Sequence, residues 1–367
     1  MRSCIYRPFY SLFTPLLLPF IYTQNMKHFA NILLGFTVAV LLLWQVPWLI
    51  NFLSTPSGGS HFTLYSPLVD DFIYNDIDEN NKLHRFGTDG KEYTEAEADS
   101  LLPFFYMRQL VADGRFPDTI MGRAVTPHEV KAASMIERFN PRDVNSRPAA
   151  LYPLLESMPK RVELEMPDDV FRVTRSGLEF ITMESNTLNT GKSERFTKAL
   201  ADKGFRFPAL QVSGNPTTRK AYDEGYLLLD AERRLFQLKR CAGRPFVKQF
   251  AVPDSIRLAH IFEVEPAGRQ LRGFATDDRN RLYVLTADYA LAPVEVESYD
   301  PTSDRMMIIG NLLDWTLSIT TDEAIHYYAL SADDYHLIRR YDYPLDDNSF
   351  PGLHFTSGAD TYCQPRF

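Results

Sequence analysis

The chain has 367 residues, 45% of them hydrophobic and 23% charged, with a net charge of −8. That composition excludes a disordered tail, and the acidic balance argues against nucleic acid, whose phosphates need basic patches. Three cysteines, Cys4, Cys241 and Cys363, are too few and too dispersed for a zinc site.

The first 25 residues are awkward. They are largely apolar but carry Pro8, Pro15 and Pro19, which oppose a continuous helix. Met26 is the expected natural start, with residues 1–25 a leader foreign to the native protein. A second, poorly helical membrane segment is the alternative. Behind Met26-Lys27, residues 29–53 contain no Asp, Glu, Lys or Arg. As a helix this stretch would reach about 37 Å, against about 30 Å for a bilayer core. Trp44 and Trp48 lie near its far end, where amphipathic rings favour the interface. The run is too long for an ordinary signal peptide, and no Ala-x-Ala site or lipoprotein box follows it. An uncleaved anchor through the lipid bilayer is therefore expected. Arg2, Arg7 and Lys27 precede it, and Asp70 and Asp71 come before the next base, Lys82. The basic side stays cytoplasmic, so the expected address is the inner membrane, single-pass, with the main domain periplasmic.

Residues 54–60 read as a linker. A β segment is expected over 61–93, with a short strand at 61–65, another at 72–74, and turns around Asp78 and at Thr88-Asp89-Gly90. Asp76-x-Asp78-x-Asn80 begins like a calcium loop but lacks the later glycine and glutamate, so side-chain-to-backbone turn bonds are the better reading. A helical insert is expected over 94–158. Thr94 and Glu97 form a capping box, and Gly114 can end that helix. Thr126-Pro127-His128-Glu129 opens a second helix, expected to run to about Phe139. A further helical turn is expected at 151–157.

From 159 onward the pattern turns to β. Val162-Glu163-Leu164-Glu165-Met166 alternates strictly, and short strands are expected at 178–183, 226–229, 235–238, 282–285, 306–309 and 325–330. Three segments share a form: a strand, an Asp-led polar turn, then a strand. Their aspartates, Asp230, Asp278 and Asp322, are 48 and 44 residues apart, and Asp78 fits the same series. Strand repeats near that period mark propeller blades; a β-sandwich with similar hairpins is the alternative. The expected fold is mainly β with a helical insert: a transmembrane helix, then a β-propeller-like exported domain over 159–367, with the first strands helping to close the ring.

Chemical motifs are scarce. Gly191-Lys192-Ser193 ends like a phosphate loop but lacks its glycine-rich start, and reads as a solvated turn. Asp70-Asp71, Asp168-Asp169 and Asp333-Asp334 are adjacent carboxylates, also read as solvated turns. No zinc pattern or nucleophile elbow occurs. No cofactor is expected. One cluster has the make-up of a binding loop: Gly214-Asn215-Pro216-Thr217-Thr218-Arg219-Lys220, then Tyr222-Asp223-Glu224-Gly225-Tyr226, with Gly243-Arg244-Pro245 farther on. Asn215, Arg219, Tyr222 and Arg244 are its candidate contact residues; structural loop connection is the competing reading. An exported chain could pair Cys241 with Cys363, although two unpaired buried thiols are the preferred reading, because sequence does not supply the geometry a disulfide requires.

Residues 102–110, 113–118, 151–158, 165–171 and 214–220 resemble a membrane-anchored, Bacteroides-type bacterial family defined only as a domain of unknown function. The resemblance covers about Met26 to the C-terminus and implies no reaction and no site residues. It implies a neighbourhood with ABC-type transporters. The function expected is a non-enzymatic accessory or partner-binding subunit of a membrane complex. The alternatives are a propeller that binds an extracytoplasmic ligand or glycan, and a hydrolase or lyase with dispersed residues.

Overall fold

The computed structural model describes residues 14–54, 61–78, 80, 82–146, 151–345, 351–356 and 364–366. It divides into two units. The first holds one helix, Thr14–Ser54, and an antiparallel hairpin of His354–Thr356 with Gln364–Arg366. Within the helix, Met26–Leu53 is long and apolar enough to cross a membrane. The helix begins before Met26 and runs through Pro15 and Pro19. Pro15 falls in the first turn, where its missing N–H has no intrahelical partner anyway. Pro47 is buried, and Gly352 lies so close that a Cβ there would collide with its ring.

The second unit is mainly β. Five antiparallel sheets of three or more strands lie along it, besides a two-stranded ribbon of Thr119–Ile120 with Arg123–Ala124. Sheet I is the meander Thr63–Ser66, Asp71–Ile77, Leu83–Gly87 and Glu92–Tyr93. Sheet II is Asp169–Val173, Leu178–Thr182 and Thr187–Leu188, followed by the helix Thr190–Asp202. Sheet III is Gln211–Gly214, Tyr226–Leu229, Leu235–Cys241 and Arg244–Gln249; sheet IV is Leu258–Glu263, Leu271–Asp277, Leu282–Thr286 and Leu291–Pro293. Sheet V is Arg305–Gly310, Asp314–Thr320, Ala324–Ser331 and Leu337–Pro344, with Met135–Phe139 added beside its first strand.

The sheets pack face to face in the order II, III, IV, V, I. Phe171, Phe180 and Phe196 of the sheet II region meet Tyr226, Leu228 and Phe236 of sheet III. Leu227 and Leu229, on the opposite face of the same strand, meet Leu258, Ile261 and Ala275 of sheet IV. Phe262, Phe274 and Val284 pack with Ile308, Trp315 and Leu317 of sheet V, and Tyr327 and Ala329 with Tyr65 and Phe72 of sheet I. A strand turns successive side chains to opposite faces, so a sheet covered on both sides reads as a continuous apolar run. Tyr226-Leu227-Leu228-Leu229 is such a run, and all four residues are buried. No ladder joins one of these sheets to another among the described residues.

Buried polar bonds stitch neighbouring sheets. The Gln211 side chain donates to the Ile261 carbonyl and accepts from the Ile261 amide, both at 2.9 Å. Ser213 Oγ accepts from the Glu263 amide at 2.8 Å, and Thr316 Oγ1 from the Tyr65 amide at 2.9 Å.

The repeated turns have one geometry with a shifted register. Asp230 Oδ1 accepts from the amides of Glu232 (2.9 Å) and Arg234 (2.8 Å), and its other oxygen takes the Arg234 guanidinium. Asp277 repeats this with Arg279 (2.9 Å), Arg281 (3.0 Å) and the Arg281 side chain. Arg233 and Asn280 occupy the same left-handed position in each turn. The second repeat aspartate is thus Asp277, not Asp278. Asp78 belongs to the series, accepting from the amides of Asn80 and Lys82 at 2.8 Å. In the third hairpin Thr321, not Asp322, fills the role, its hydroxyl accepting from Glu323 and Ala324.

Both capping boxes form as read, at Glu95–Leu101 and Pro127–Ala133. The second helix, however, stops at Ala133, and Met135–Phe139 is a strand paired with Arg305–Gly310. Residues 151–157 are extended, not helical: Tyr152 bridges Phe171 and Glu156 bridges Arg240. The alternating 162–166 stretch joins no ladder, and Val162 is 95% exposed.

Candidate functional site

The loop between the first two strands of sheet III carries the most unusual chemistry of the second unit. Gly214 ends one strand and Tyr226 begins the next, so the intervening residues must turn back and present their side chains near the end of sheet IV's first strand. Gly225 makes the return possible. Its φ is +69°, and a Cβ there would meet the Leu238 carbonyl at 2.2 Å.

Lys220 sits at the middle of this centre, almost fully buried. Its Nζ reaches Asp223 Oδ1 at 2.8 Å, Glu265 Oε1 at 2.6 Å and the Asn215 carbonyl at 2.6 Å. Burial works against its charge, but the two carboxylates outweigh burial and raise its pKa. Asp223 also accepts from Ser157 Oγ at 2.6 Å, which ties in the extended 151–157 segment. Glu265 takes the Glu224 amide at 2.7 Å. Glu224 is held in turn by Lys239 at 2.9 Å, Arg272 at 2.5 Å and Gln237 at 2.8 Å. Burial opposes its ionisation, yet these donors hold its pKa below the usual value.

Glu263 differs. Both its carboxyl oxygens are buried with no hydrogen-bond partner among the described residues. Burial, then the neighbouring Glu265 carboxyl, pushes its pKa up to about 9. Glu137, from the added strand of sheet V, is also raised by burial and by Glu265. The centre thus combines carboxylates paired with Lys220 and Lys239 with a group, Glu263, Glu265 and Glu137, in which burial raises the pKa. It can store or exchange a proton and can accept a hydrogen bond from an N–H or O–H donor. Among the described residues, no group of His, Cys, Asp and Glu is arranged to hold a metal ion.

Of the four contact residues read from sequence, two belong to this centre. Asn215 Nδ2 donates to Glu265 Oε2 at 3.5 Å. Tyr222 is buried, its hydroxyl donating to the Pro266 carbonyl and its ring covered by the Arg269 guanidinium at 4.1 Å. Arg219 is exposed on the loop, its amide bonded to Thr217 Oγ1. Arg244 is exposed on the outer strand of sheet III, opposite Cys241. Cys241 is half-buried, and burial raises its thiol pKa. Cys363 lies outside the described residues, so the pairing of the two is not described. Sequence reading placed Lys220, Asp223 and Glu224 in the loop cluster without choosing them as contact residues, and passed over Glu263 and Glu265. The available signal was Glu263-Val264-Glu265, two carboxylates on one face at a strand end with an apolar residue between them.

The phosphate-loop resemblance resolves differently from the solvated turn expected. Thr190–Asp202 is a helix capped by Asn189, whose side chain accepts from the Lys192 amide. Lys192 is buried, with Nζ 2.6 Å from Asp169 Oδ2 and 4.4 Å from the centre of the Phe180 ring. Its charge is spent inside the fold. Asp169 is accordingly a buried ion-pair partner, not part of a solvated turn.

A family model described as "Domain of unknown function (DUF4857)" matches residues 62–330. No curated protein matches the chain. Among solved structures the chain is similar to the Dos1 propeller, at 10% identity and TM-score 0.29, over 78% of this chain and 62% of that one. It is also similar to PorZ, a surface component of the type-IX secretion system of Porphyromonas gingivalis, at 10% identity and TM-score 0.24, over 82% of this chain and 34% of PorZ. The Cps50 (Swd1) β-propeller domain of Myceliophteria thermophila matches at 7% identity and TM-score 0.27, over 81% and 88%. The chain thus spans less than two thirds of the first two structures. At these TM-scores the likenesses carry no argument about topology.

Proposed function

The chain belongs to the DUF4857 family, whose description assigns no activity, and from its own residues we propose that it is a membrane-anchored, extracytoplasmic, non-enzymatic subunit that binds a partner within a membrane complex. The observation that carries this reading is the Met26–Leu53 stretch. Phe29, Ile32, Leu34, Phe36 and Phe52 along it are more than 60% exposed. A helix of that length and apolarity suits a hydrocarbon environment, which supports the anchor. Basic residues before it and acidic ones after it support an orientation with the β unit outside the cytoplasm.

The five stacked sheets are read here as blades of a propeller-like arc, a rigid body suited to holding a partner. The proposed partner is a membrane protein, with an ABC-type transporter favoured by the family resemblance. Under this reading the Lys220–Glu265 centre holds the sheet III loop in a fixed shape for presentation. An extracytoplasmic ligand or glycan is the second reading. The observation that favours it is a loop that exposes Asn215 and Arg219 beside buried carboxyls that include Glu263 and Glu265.

Affinity purification of the full chain from native membranes tests the first reading. Recovery of a stoichiometric membrane protein supports it, and recovery of the chain alone overturns it. Alkaline phosphatase fused after Ser60 should be active; a stably expressed but inactive fusion overturns the orientation.

A further inference from the structure

The chain enters and leaves the β unit at one aromatic patch. His61, the first described residue of that unit, lies nearly parallel to two tyrosine rings: Tyr74 of sheet I at 4.7 Å between ring centres, and Tyr343 of sheet V at 3.7 Å. Tyr341 stacks on Tyr74 at 6.4 Å, and Phe86 adjoins Tyr74 at 5.7 Å. The Tyr327 hydroxyl donates to the His61 carbonyl and fixes the entering backbone. The five rings of the patch are half-buried, so part of each stays in solvent. Beside them the tip of the sheet I hairpin pairs Ile77 with Leu83, which are 37% and 41% exposed.

Connectivity says what this patch meets. In an antiparallel meander the start of the first strand and the turn between the second and third lie at the same end. His61 and the 77–83 tip therefore share one end of sheet I, and the 67–70 turn lies at the other. Only residues 55–60 separate His61 from Ser54, the last residue of the apolar helix. Fully extended, that tether reaches about 25 Å. On the exit side, only residues 344–347 separate Tyr343 from Asn348, where the chain passes to the first unit. Gly352, shortly beyond, lies against Pro47 of the helix. Both tethers thus leave the β unit from the patch and lead to the last turns of the proposed span. A body held by two short tethers at one spot keeps that spot close to the bilayer.

The side chains suit that position. Tyrosine joins an apolar ring to a polar tip, the combination enriched where lipid headgroups meet acyl chains. The charges among the rings set the depth. Asp76 is exposed, with Oδ1 accepting from the Ile77 amide at 2.9 Å, and Asp342 is exposed and bonded to His326 and Arg340. Carboxylates are costly in hydrocarbon, so the patch fits the headgroup layer and not the acyl core. We propose that the His61–Tyr74–Tyr343 patch and the Ile77–Leu83 tip rest in the phospholipid headgroup layer, making this end of the β unit a lipid-contact surface. The proposal rests on the membrane anchor put forward above.

The test uses the full chain in phosphatidylcholine vesicles that carry a headgroup nitroxide. The three native cysteines are replaced by serine, and bimane is attached at Leu83→Cys or at Leu68→Cys. The two positions are almost equally exposed, at 41% and 42%, and lie a strand length of about 20 Å apart. Bimane at position 83 should be quenched at least about twofold more than at position 68, as headgroup contact requires. Inserting about 20 flexible Gly/Ser residues into each tether should preserve the difference, because contact and not tether length maintains it. Ile77→Asp, at an exposed site that the fold tolerates, should erase it. Vesicles that float without the chain overturn the anchor and this proposal together. A chain that floats but shows equal quenching at both positions overturns the proposal alone, as does a difference that vanishes with the longer tethers or persists in Ile77→Asp.

Discussion

Lys220 Nζ lies 2.6 Å from Glu265 Oε1, and the two side chains are 8% and 3% exposed. This pair joins the sheet III loop to the end of sheet IV's first strand. Removing the cation strands Glu265 and Asp223 as buried, unpaired carboxylates. Lys220→Met should therefore destabilise the second unit by about 3–5 kcal/mol. Urea denaturation followed by tryptophan fluorescence reads this directly; a change below 1 kcal/mol would mean water already solvates the pair.

Glu263 predicts a pH dependence of defined sign. Its folded pKa is raised from 4.5 to about 9, chiefly by burial. The folded chain therefore holds a proton that the unfolded chain releases, and stability falls as pH rises through that window. Glu263→Gln mimics the protonated form. It should match the parent near pH 5, be the more stable protein at pH 8, and show a flatter profile between. Parallel pH profiles for the two proteins would contradict the assignment.

The buried Lys192–Asp169 pair predicts non-additivity. Lys192→Met or Asp169→Leu alone leaves one buried charge unmatched, at about 3–5 kcal/mol each. The double variant should cost less than the sum, because neither charge remains. A thermodynamic cycle on the four proteins measures the coupling. Additive losses would show that the pair does not interact across its 2.6 Å contact.

The repeat turns separate two buried aspartates from two exposed ones. Asp230→Ala and Asp277→Ala each remove an acceptor of several backbone and guanidinium donors, and should cost about 2–4 kcal/mol. Asp278→Ala and Asp322→Ala should stay within about 0.5 kcal/mol of the parent. Thermal melts of the four variants suffice. A loss at Asp278 equal to that at Asp277 would undo the register given above.

What could be read from sequence was what neighbouring residues decide. Thr94 with Glu97, and Thr126 with Glu129, bond within one helical turn, and both boxes form as read. The doubly covered runs such as Tyr226-Leu227-Leu228-Leu229 also declare themselves as strands. Met135–Phe139 does not, because its strand state comes from a ladder with Arg305–Gly310, far along the chain. Alternation alone was insufficient at 162–166, which found no partner strand. The choice between Asp277 and Asp278 was invisible for a related reason: hairpin register, not residue type, decides which carboxylate turns inward. Of the charged centre, the sequence exposed the loop through its Gly and Pro content. Its Lys220–Glu265 and Arg272–Glu224 pairs arise only when sheet IV arrives. The half-legible result, Asn215 and Tyr222 bonded at the centre and Arg219 and Arg244 apart from it, follows from that.

The packing order II, III, IV, V, I has a consequence for biogenesis. Sheet I is synthesised before any other sheet, but its face is covered by sheet V, and the Tyr65 amide finds Thr316 only across 251 residues of chain. Sheets II to V can each dock on the neighbour just completed as the chain emerges. Sheet I has to wait, with Phe72 and Tyr65 uncovered, until almost everything after it has been delivered. A ribosome stall or truncation anywhere before residue 330 would leave that first sheet as a chaperone target, while an intact C-terminal end acts as the latch that retires it.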